Sequence, residues 1–269
     1  MNIEISNLHF SYPNGVQALK GISLEINLGE QVAIVGQNGA GKTTLVKHLN
    51  GLLQPTSGNV KIGDWDTKQK SVAKLARRVG YVFQNPDEQL FSKNVGTEVA
   101  FGPKNLGFSG EQVQRQVKDA LAMVELSDKT EINPYDLSPT WRKMVALASV
   151  IAMDTSIVVF DEPTTGQDAA SIARIANVIK VLRERGKTVI TITHDIDFCA
   201  ENFERVIAMS QGQVLLDGKA NEVLGQDEIL ARTFVDPPQL TRLGKRLNLP
   251  VTVKNQDEFL QAYQARTRS

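Results

Sequence analysis

Cysteine is almost absent from this sequence, and its other scarce features exclude several classes of protein. Cys199 is the only cysteine among 269 residues, which excludes an internal disulfide framework and favours a reducing compartment. We expect Cys199 to be a small buried apolar residue. No charge of either sign is in excess, since basic and acidic residues number 30 each. This balance favours neither a nucleic-acid partner nor an acidic disordered chain.

Long apolar runs are also missing. The longest apolar segment, residues 144–153, is interrupted by Ser149 and is too short to span a bilayer. Residues 1–6 lack the basic head and apolar stretch of a signal peptide. If the protein serves a membrane, we therefore expect it to act from outside the bilayer. Its length fits one or two domains with a buried core.

Short apolar runs alternate with helical patterns along most of the chain. The runs cover residues 32–35, 79–83, 157–160 and 188–192, and the helical patterns cover residues 168–185 and 196–201. Continuous runs of this length are typical of strands that are buried on both faces. The order predicts an α/β fold with a parallel sheet. Residues 3–10 and 22–26 alternate instead, as half-exposed strands do.

Two segments depart from this alternation. Residues 92–130 contain a predicted amphipathic helix at 111–126, with apolar residues at Val113, Val117, Leu121 and Val124. After residue 216, Asp236-Pro237-Pro238 opens a predicted helix with Leu240, Leu243 and Leu247 on one face. A second short helix is expected at 258–264, with a frayed end at 265–269.

A glycine-rich segment follows the predicted strand at 32–35 and opens a predicted helix. It reads Gly36-Gln37-Asn38-Gly39-Ala40-Gly41-Lys42-Thr43-Thr44. Its spacing and context are those of a phosphate-binding loop, in which backbone N–H groups wrap the phosphates at a helix N-terminus. We expect Lys42 to neutralise phosphate charge and the Thr43 hydroxyl to ligate Mg²⁺. The loop therefore predicts ATP and Mg²⁺ as ligands.

The apolar run at 157–160 ends in two carboxylates, Asp161 and Glu162. Asp161 is suited to hold Mg²⁺ through water, and Glu162 could act as the base that polarises an attacking water. The alternative is a pair of acids at a helix N-terminus, which Pro163 and the following loop make less favourable.

These motifs together resemble the nucleotide-binding subunit of an ABC transporter over residues 1 to 220. The resemblance implies a P-loop NTPase core of the ABC type with an antiparallel β subdomain. It also implies an ATPase domain at 1–224, a helical subdomain inserted at about 88–153, and a small C-terminal extension at 225–269.

The resemblance also implies roles for single residues. Tyr12 stands where the family stacks an aromatic ring on adenine, although a simple turn tyrosine is the alternative. Gln84 matches the glutamine that senses Mg²⁺ and water, and His194 matches the histidine that contacts the γ-phosphate. A lone histidine is usually structural, so the role of His194 rests on its position alone. Asp168 matches an aspartate in a loop that crosses the dimer, next to Gln167 where the family usually has leucine.

A narrower resemblance is to the ATPases of energy-coupling-factor (ECF) transporters, which import vitamins and transition-metal ions. It is carried by three segments: residues 83–91 (Phe-Gln-Asn-Pro-Asp-Glu-Gln-Leu-Phe), residues 99–107 and residues 237–243. It implies a second ATPase subunit, a transmembrane scaffold subunit that docks beside the segment after Gln84, and a substrate-binding membrane subunit. It further implies a location on the cytoplasmic face of the membrane and a dimerisation role for 225–269.

One family motif is broken. Where the family carries Leu-Ser-Gly-Gly-Gln, this chain has Leu137-Ser138-Pro139-Thr140-Trp141. In the family, the glycines let the signature of one subunit approach the γ-phosphate of the ATP that the other subunit binds. Pro139 replaces the first of these glycines, which adds a ring and removes an N–H donor. Ser138 and Pro139 still form a good helix start. The sequence predicts that the helix is kept and much of the phosphate contact is lost.

The break leads to a hypothesis of an asymmetric heterodimer. The half-site of this chain would be completed by a partner with an intact signature, while the reciprocal site would be slow or silent. The alternative is that Pro139 and Thr140 are tolerated and that both sites work. Other classes considered are a regulatory ATP-binding subunit, a conventional importer or exporter ATPase, and an ABC ATPase acting on DNA or ribosomes. An ABC ATPase of the last kind would need a coiled coil, a zinc motif, a second cassette or a basic linker. The sequence shows none of these features, so we expect no nucleic-acid partner.

Overall fold

Two β-sheets and a set of packed helices organise the chain in the computed structural model, which describes residues 2–249 and 251–267. The strands are β1 (Ile3–Ser11), β2 (Gln17–Ile26), β3 (Gln31–Val35), β4 (Ser57–Ile62), β5 (Trp65–Asp66), β6 (Val79–Val82), β7 (Ile157–Asp161), β8 (Thr188–Ile192), β9 (Arg205–Ser210) and β10 (Gln213–Lys219). The helices are α1 (Lys42–Lys47), α2 (Val72–Leu75), α3 (Val95–Leu106), α4 (Gly110–Met123), α5 (Pro139–Ile151), α6 (Ala169–Glu184), α7 (Ile196–Asn202), α8 (Ala220–Leu224), α9 (Asp227–Arg232), α10 (Gln239–Arg246) and α11 (Gln256–Thr267). Within the described ranges, none of these helices has the length and apolarity to cross a membrane.

The larger sheet has the strand order β10-β9-β3-β8-β7-β6, and all of it except the edge strand β10 runs parallel. Strands β3, β6, β7 and β8 are buried along their whole length, which is why their sequences are mostly apolar. The predicted α/β fold with a parallel sheet is confirmed. Because the carboxyl ends of parallel strands meet at one edge, the segments that follow these four strands are neighbours in space.

The smaller sheet is antiparallel, with the order β2-β1-β4-β5. Its apolar face shares a core with one face of the larger sheet and with α1, built from residues such as Leu8, Leu19, Ile34, Leu45 and Val159. Helices α3 to α7 belong to a second core with Phe160 and Cys199, on the opposite face. Cys199 is a free, fully buried thiol, as expected.

Helices α3, α4 and α5 pack on one another beside the larger sheet. The helix predicted at 111–126 is real but ends earlier, at Met123. Glu125 has a positive φ of 61°, which a continuing helix does not allow. The backbone then closes with a 2.9 Å hydrogen bond from the N–H of Leu126 to the carbonyl of Leu121.

The C-terminal residues form α8 to α11. Helix α10 begins after Pro238, as predicted. Its buried residues are Thr241 and Gly244, whereas Leu243 is 42% exposed. The buried face has room only for a glycine at position 244, because a Cβ there would lie 2.9 Å from the side chain of Val253. The predicted frayed end is wrong for residues 265–267, which belong to α11, and residues 268–269 lie outside the described ranges.

Candidate functional site

The loop between β3 and α1 has a backbone that only glycine permits at two positions. Gly36 has a φ of 145°, and a Cβ there would lie 2.2 Å from the backbone oxygen of Met209. Gly41 has a φ of 99°, and a Cβ there would lie 2.7 Å from the carbonyl oxygen of Ala18. Positive φ and close backbone approach together explain the glycines of this motif.

Residues 38–44 of the loop and α1 line a cavity of about 400 Å³. The N–H groups of Asn38, Gly39 and Gly41 make no hydrogen bond within the described part of the chain. Residues Lys42, Thr43 and Thr44 form the first turn of α1, whose N–H groups have no partner inside a helix. The result is a concave set of donors at a positive helix end, which suits phosphate oxygens.

We expect Gly36→Ala to lower the free energy of unfolding by more than about 2 kcal/mol, because strain and a backbone clash add. Denaturant unfolding measures this. Gly39→Ala is the matched control: its φ is 81° but a Cβ there meets nothing within 4 Å. It should cost only about 1 kcal/mol, and equal losses in the two variants would contradict the clash.

The ammonium group of Lys42 lies over this loop. Its Nζ donates to the carbonyl oxygens of Gly36 (2.6 Å) and Gln37 (3.1 Å). Burial lowers the pKa of Lys42, while the carboxylates of Glu162 and Asp161 oppose that shift. A cation that lies over the loop and faces two carboxylates is placed to bind an anionic, metal-bridged ligand.

The carboxylate of Asp161 ends β7 beside the loop and is buried. Its Oδ1 accepts a hydrogen bond from the Thr43 hydroxyl at 3.1 Å, and its Oδ2 accepts one from the Tyr81 hydroxyl at 2.6 Å. Burial raises the pKa of Tyr81, and the charge of Asp161 adds to the shift, so the phenol is the donor. Oxygen ligands of this kind are those that Mg²⁺ prefers. Tyr81 was not predicted from the sequence.

Glu162 and His194 form a contact across the edge of the sheet. The Nδ1 atom of His194 lies 2.8 Å from Oε2 of Glu162, whose side chain is buried. Glu162 has a positive φ of 49°, and the next helix, α6, begins only at Ala169. The alternative of two acids at a helix N-terminus is therefore wrong. A buried carboxylate next to an imidazole is an arrangement that can accept a proton from water.

Gln84 follows β6 and lines the same cavity, as do Tyr12 and Glu162. The carbonyl oxygens of Phe83 and Gln84 accept hydrogen bonds from Nζ of Lys143 at 3.0 and 2.6 Å. Burial lowers the pKa of Lys143 to about 8, against the opposing charges of Asp161 and Glu162. Lys143 thus joins the Gln84 segment to α5, a contact that no motif in the sequence indicated.

Tyr12 lies at the rim of the cavity. Its hydroxyl is 2.9 Å from the Thr44 hydroxyl, and its ring meets Phe10 edge-on with centroids 4.9 Å apart. Sequence reasoning missed several other lining residues, namely Val16, Gln17, Ala18, Lys20, Gln211 and Gly212. They come from β2, from the residue before it and from the β9–β10 turn, and nothing in their types or spacing marks them as site residues.

Comparison with known proteins identifies the family. A family model described as ABC transporter matches residues 19–165. An energy-coupling factor transporter ATP-binding protein of Methanocaldococcus jannaschii is 38% identical over 255 residues, covering 93% of this chain and 91% of the relative. This chain belongs to the ABC transporter family.

Solved structures agree with that assignment. The cbiO1 protein of Clostridium perfringens, part of an ABC transporter complex, matches with a TM-score of 0.77 and 33% identity, covering 91% of this chain and 98% of that one. A dimeric ATP-binding cassette bound to ADP and Pi matches with a TM-score of 0.74 and 29% identity, covering 81% of this chain and 98% of that one. The ABC ATPase fold predicted from the sequence is confirmed. The chain spans slightly under half the length of some curated relatives, for example 44% of one from Methanosarcina acetivorans.

The signature segment of this ABC protein lies away from the cavity. Ser138 caps α5, its hydroxyl accepting from the N–H of Trp141 at 3.5 Å, and Pro139 is the first helical residue. The Trp141 ring lies 4.8 Å from the Arg174 guanidinium and packs on the core of its own subunit. The described cavity lining includes neither Thr140 nor any other residue of 138–141.

The predicted dimer-loop residue, Asp168, caps α6 of the ABC core. Its Oδ1 accepts a hydrogen bond from the N–H of Ser171 at 2.8 Å. The same hydrogen bonding lowers its pKa. Asp168 is exposed and is not among the cavity's lining residues that the structure describes.

Proposed function

We propose that this chain is the ATP-binding and hydrolysing subunit of an ECF-type ABC importer and energises uptake of a small nutrient, a vitamin or a transition-metal ion. The observation that carries the proposal is a cavity lined by the glycine loop and by Glu162. The buried Asp161 is hydrogen-bonded to Thr43 of that lining, and His194 lies 2.8 Å from the Glu162 carboxylate. The likeness to an energy-coupling factor ATPase and to a cbiO1 protein supports the ECF type.

We assign each group of the candidate site a role in ATP hydrolysis that is consistent with its contacts. The loop N–H groups and Lys42 bind the phosphates, and Thr43, Gln84 and Asp161 are the residues that would hold Mg²⁺. When bound, Mg²⁺ supplies charge neutralisation at the phosphates. Glu162 accepts a proton from the attacking water, with His194 fixing one of its oxygens. Tyr12 stacks on the adenine ring.

The site is proposed to be completed by a second ABC ATPase subunit, a homologue with an intact Leu-Ser-Gly-Gly-Gln signature. Residues 138–141 of this chain would face the partner's nucleotide, and Asp168 would cross the dimer. Two features support a slow reciprocal site: Pro139 has no N–H to donate, and Trp141 packs on Arg174 in its own subunit. The dimeric state of a similar cassette supports pairing itself.

Membrane partners are expected beside the segment after Gln84: a transmembrane scaffold and, through it, a substrate-binding membrane subunit. Two exposed aromatic side chains lie in this region, Phe91 at 61% and Phe101 at 47%, with ring centroids 4.7 Å apart. Adjoining exposed apolar rings are typical of a binding surface. The proposal makes the chain a peripheral subunit on the cytoplasmic face of the membrane.

The division into a core at 1–224 and an extension at 225–269 is part of the proposal. The extension would dimerise through the leucine side of α10, because Leu243 lies exposed on it. A regulatory subunit that binds ATP without hydrolysing it is a second candidate, favoured by the broken signature. A conventional importer or exporter ATPase is a third.

ATPase turnover of the purified chain, alone and mixed with the homologue, tests the proposal. We expect turnover only in the mixture, because the chain alone lacks a signature that contacts the phosphates. Equal turnover alone would mean that residues 138–141 still work as a signature and would contradict the asymmetric pairing. No turnover in either sample, with ATP bound, would support the regulatory candidate.

A further inference from the structure

Two hydroxyl groups hold the buried carboxylate of Asp161. Thr43 donates to Oδ1 at 3.1 Å and Tyr81 donates to Oδ2 at 2.6 Å. Among the described residues no lysine, arginine or histidine forms an ion pair with Asp161. Each carboxylate oxygen therefore has its own partner, one from the glycine-loop helix and one from β6.

The parallel pairing of β6 and β7 explains how Tyr81 reaches this carboxylate. Tyr81 pairs with Val159, and both side chains belong to the same apolar core between the sheets. Asp161 is two residues beyond Val159, so its side chain leaves the sheet on the same face. The phenol extends along that face to the end of β7, and its ring is fixed edge-on by Phe83, with centroids 5.0 Å apart.

We propose that Tyr81 is a positioning residue for the Mg²⁺ site, which fixes Oδ2 of Asp161 so that Oδ1 stays directed at Thr43. The inference rests on the proposed function, because it assumes that Asp161 and Thr43 hold Mg²⁺ with bound ATP. Groups that hydrogen-bond a metal's ligands orient them, and their loss typically costs 10- to 100-fold in metal affinity or activity. The alternative is a structural role, in which the Tyr81 hydroxyl only supplies a hydrogen bond to a buried carboxylate.

The Tyr81 strand also leads to Gln84, three residues further along the chain. Asp161 and Gln84, two of the residues expected to hold Mg²⁺, are therefore joined through one strand and one hydroxyl. A displacement of the Gln84 segment by a membrane partner would reach Asp161 through this bond.

The test is Tyr81→Phe, made with Glu162→Gln so that ATP is not consumed. Mn²⁺ is the probe, titrated into protein and ATP and followed by electron paramagnetic resonance. We expect the half-saturating Mn²⁺ concentration to rise by about tenfold or more. ATP affinity in EDTA, measured with a fluorescent ATP analogue, should stay unchanged because Tyr81 does not line the cavity.

Tyr135→Phe is the matched control. The Tyr135 hydroxyl also donates one short hydrogen bond, 2.7 Å to the carbonyl of Leu90, and the residue is not part of the cavity lining. Its Mn²⁺ titration should match the parent. As a second measurement, the rise in unfolding temperature on adding Mn²⁺ at fixed ATP should be smaller in Tyr81→Phe than in the parent.

Three outcomes are distinguishable. Weaker Mn²⁺ binding with unchanged metal-free ATP binding supports the positioning role. A lower unfolding temperature with an unchanged Mn²⁺ titration would reduce Tyr81 to a structural residue and overturn the inference. If the parent protein itself binds neither ATP nor Mn²⁺ with ATP, the proposed function fails, whatever Tyr81 does.

Discussion

Replacing Glu162 by glutamine is expected to lower ATP turnover of the heterodimer by about 100- to 10,000-fold, the usual contribution of a general base. Glutamine keeps the shape of the side chain but cannot accept a proton from water. The reciprocal site should not compensate for this loss, because its signature is the altered segment 138–141 of this chain. Steady-state ATPase assays of the purified complex measure the effect, and ATP binding should be retained.

The matched control is the same glutamate-to-glutamine change in the partner subunit. It removes the base from the site that is already slow, so total turnover should change little. The asymmetric model is refuted if Glu162→Gln leaves turnover close to that of the unmodified complex. Similar losses from the two changes would indicate two working sites that depend on each other.

Restoring the signature should increase ATP turnover at the reciprocal site. In a complex that carries Glu162→Gln, the further changes Pro139→Gly, Thr140→Gly and Trp141→Gln are expected to raise the residual turnover by roughly 10- to 100-fold. This range corresponds to regaining one charge-assisted contact of about 1.5–3 kcal/mol. The Glu162→Gln change is needed because it removes the turnover of the site that contains this chain's glycine loop from the measurement.

Trp141→Gln alone is the control for this experiment. It loses the packing on Arg174 but leaves Pro139 and Thr140 in place, so turnover should not rise. Thermal unfolding of each variant separates lost packing from lost chemistry. If the triple change leaves the residual turnover unchanged, the broken signature does not limit the reciprocal site.

Local patterns were enough to predict β3, β6, β7 and β8, whereas β9 and β10 of the same sheet were not predicted. Strands buried on both faces appear as continuous apolar runs, and the run at 157–160 matches β7 closely. Caps are equally local, because Ser138 and Pro139 occupy the first positions of α5, as expected. The boundaries were less predictable: α4 ends at Met123 because Glu125 adopts a positive φ, which its residue type does not reveal.

The residues of the glycine loop and the acids that end a buried strand could be recognised from the sequence, because these chemistries depend on neighbours in the chain. The family followed from the same motifs. The distant groups that support these motifs are visible only in the folded structure. Tyr81 reaches Asp161 from a neighbouring strand, and Lys143 reaches the Gln84 carbonyl from a helix 59 residues away in sequence. Such contacts are set by strand order and helix packing, which bring together residues that no local pattern relates.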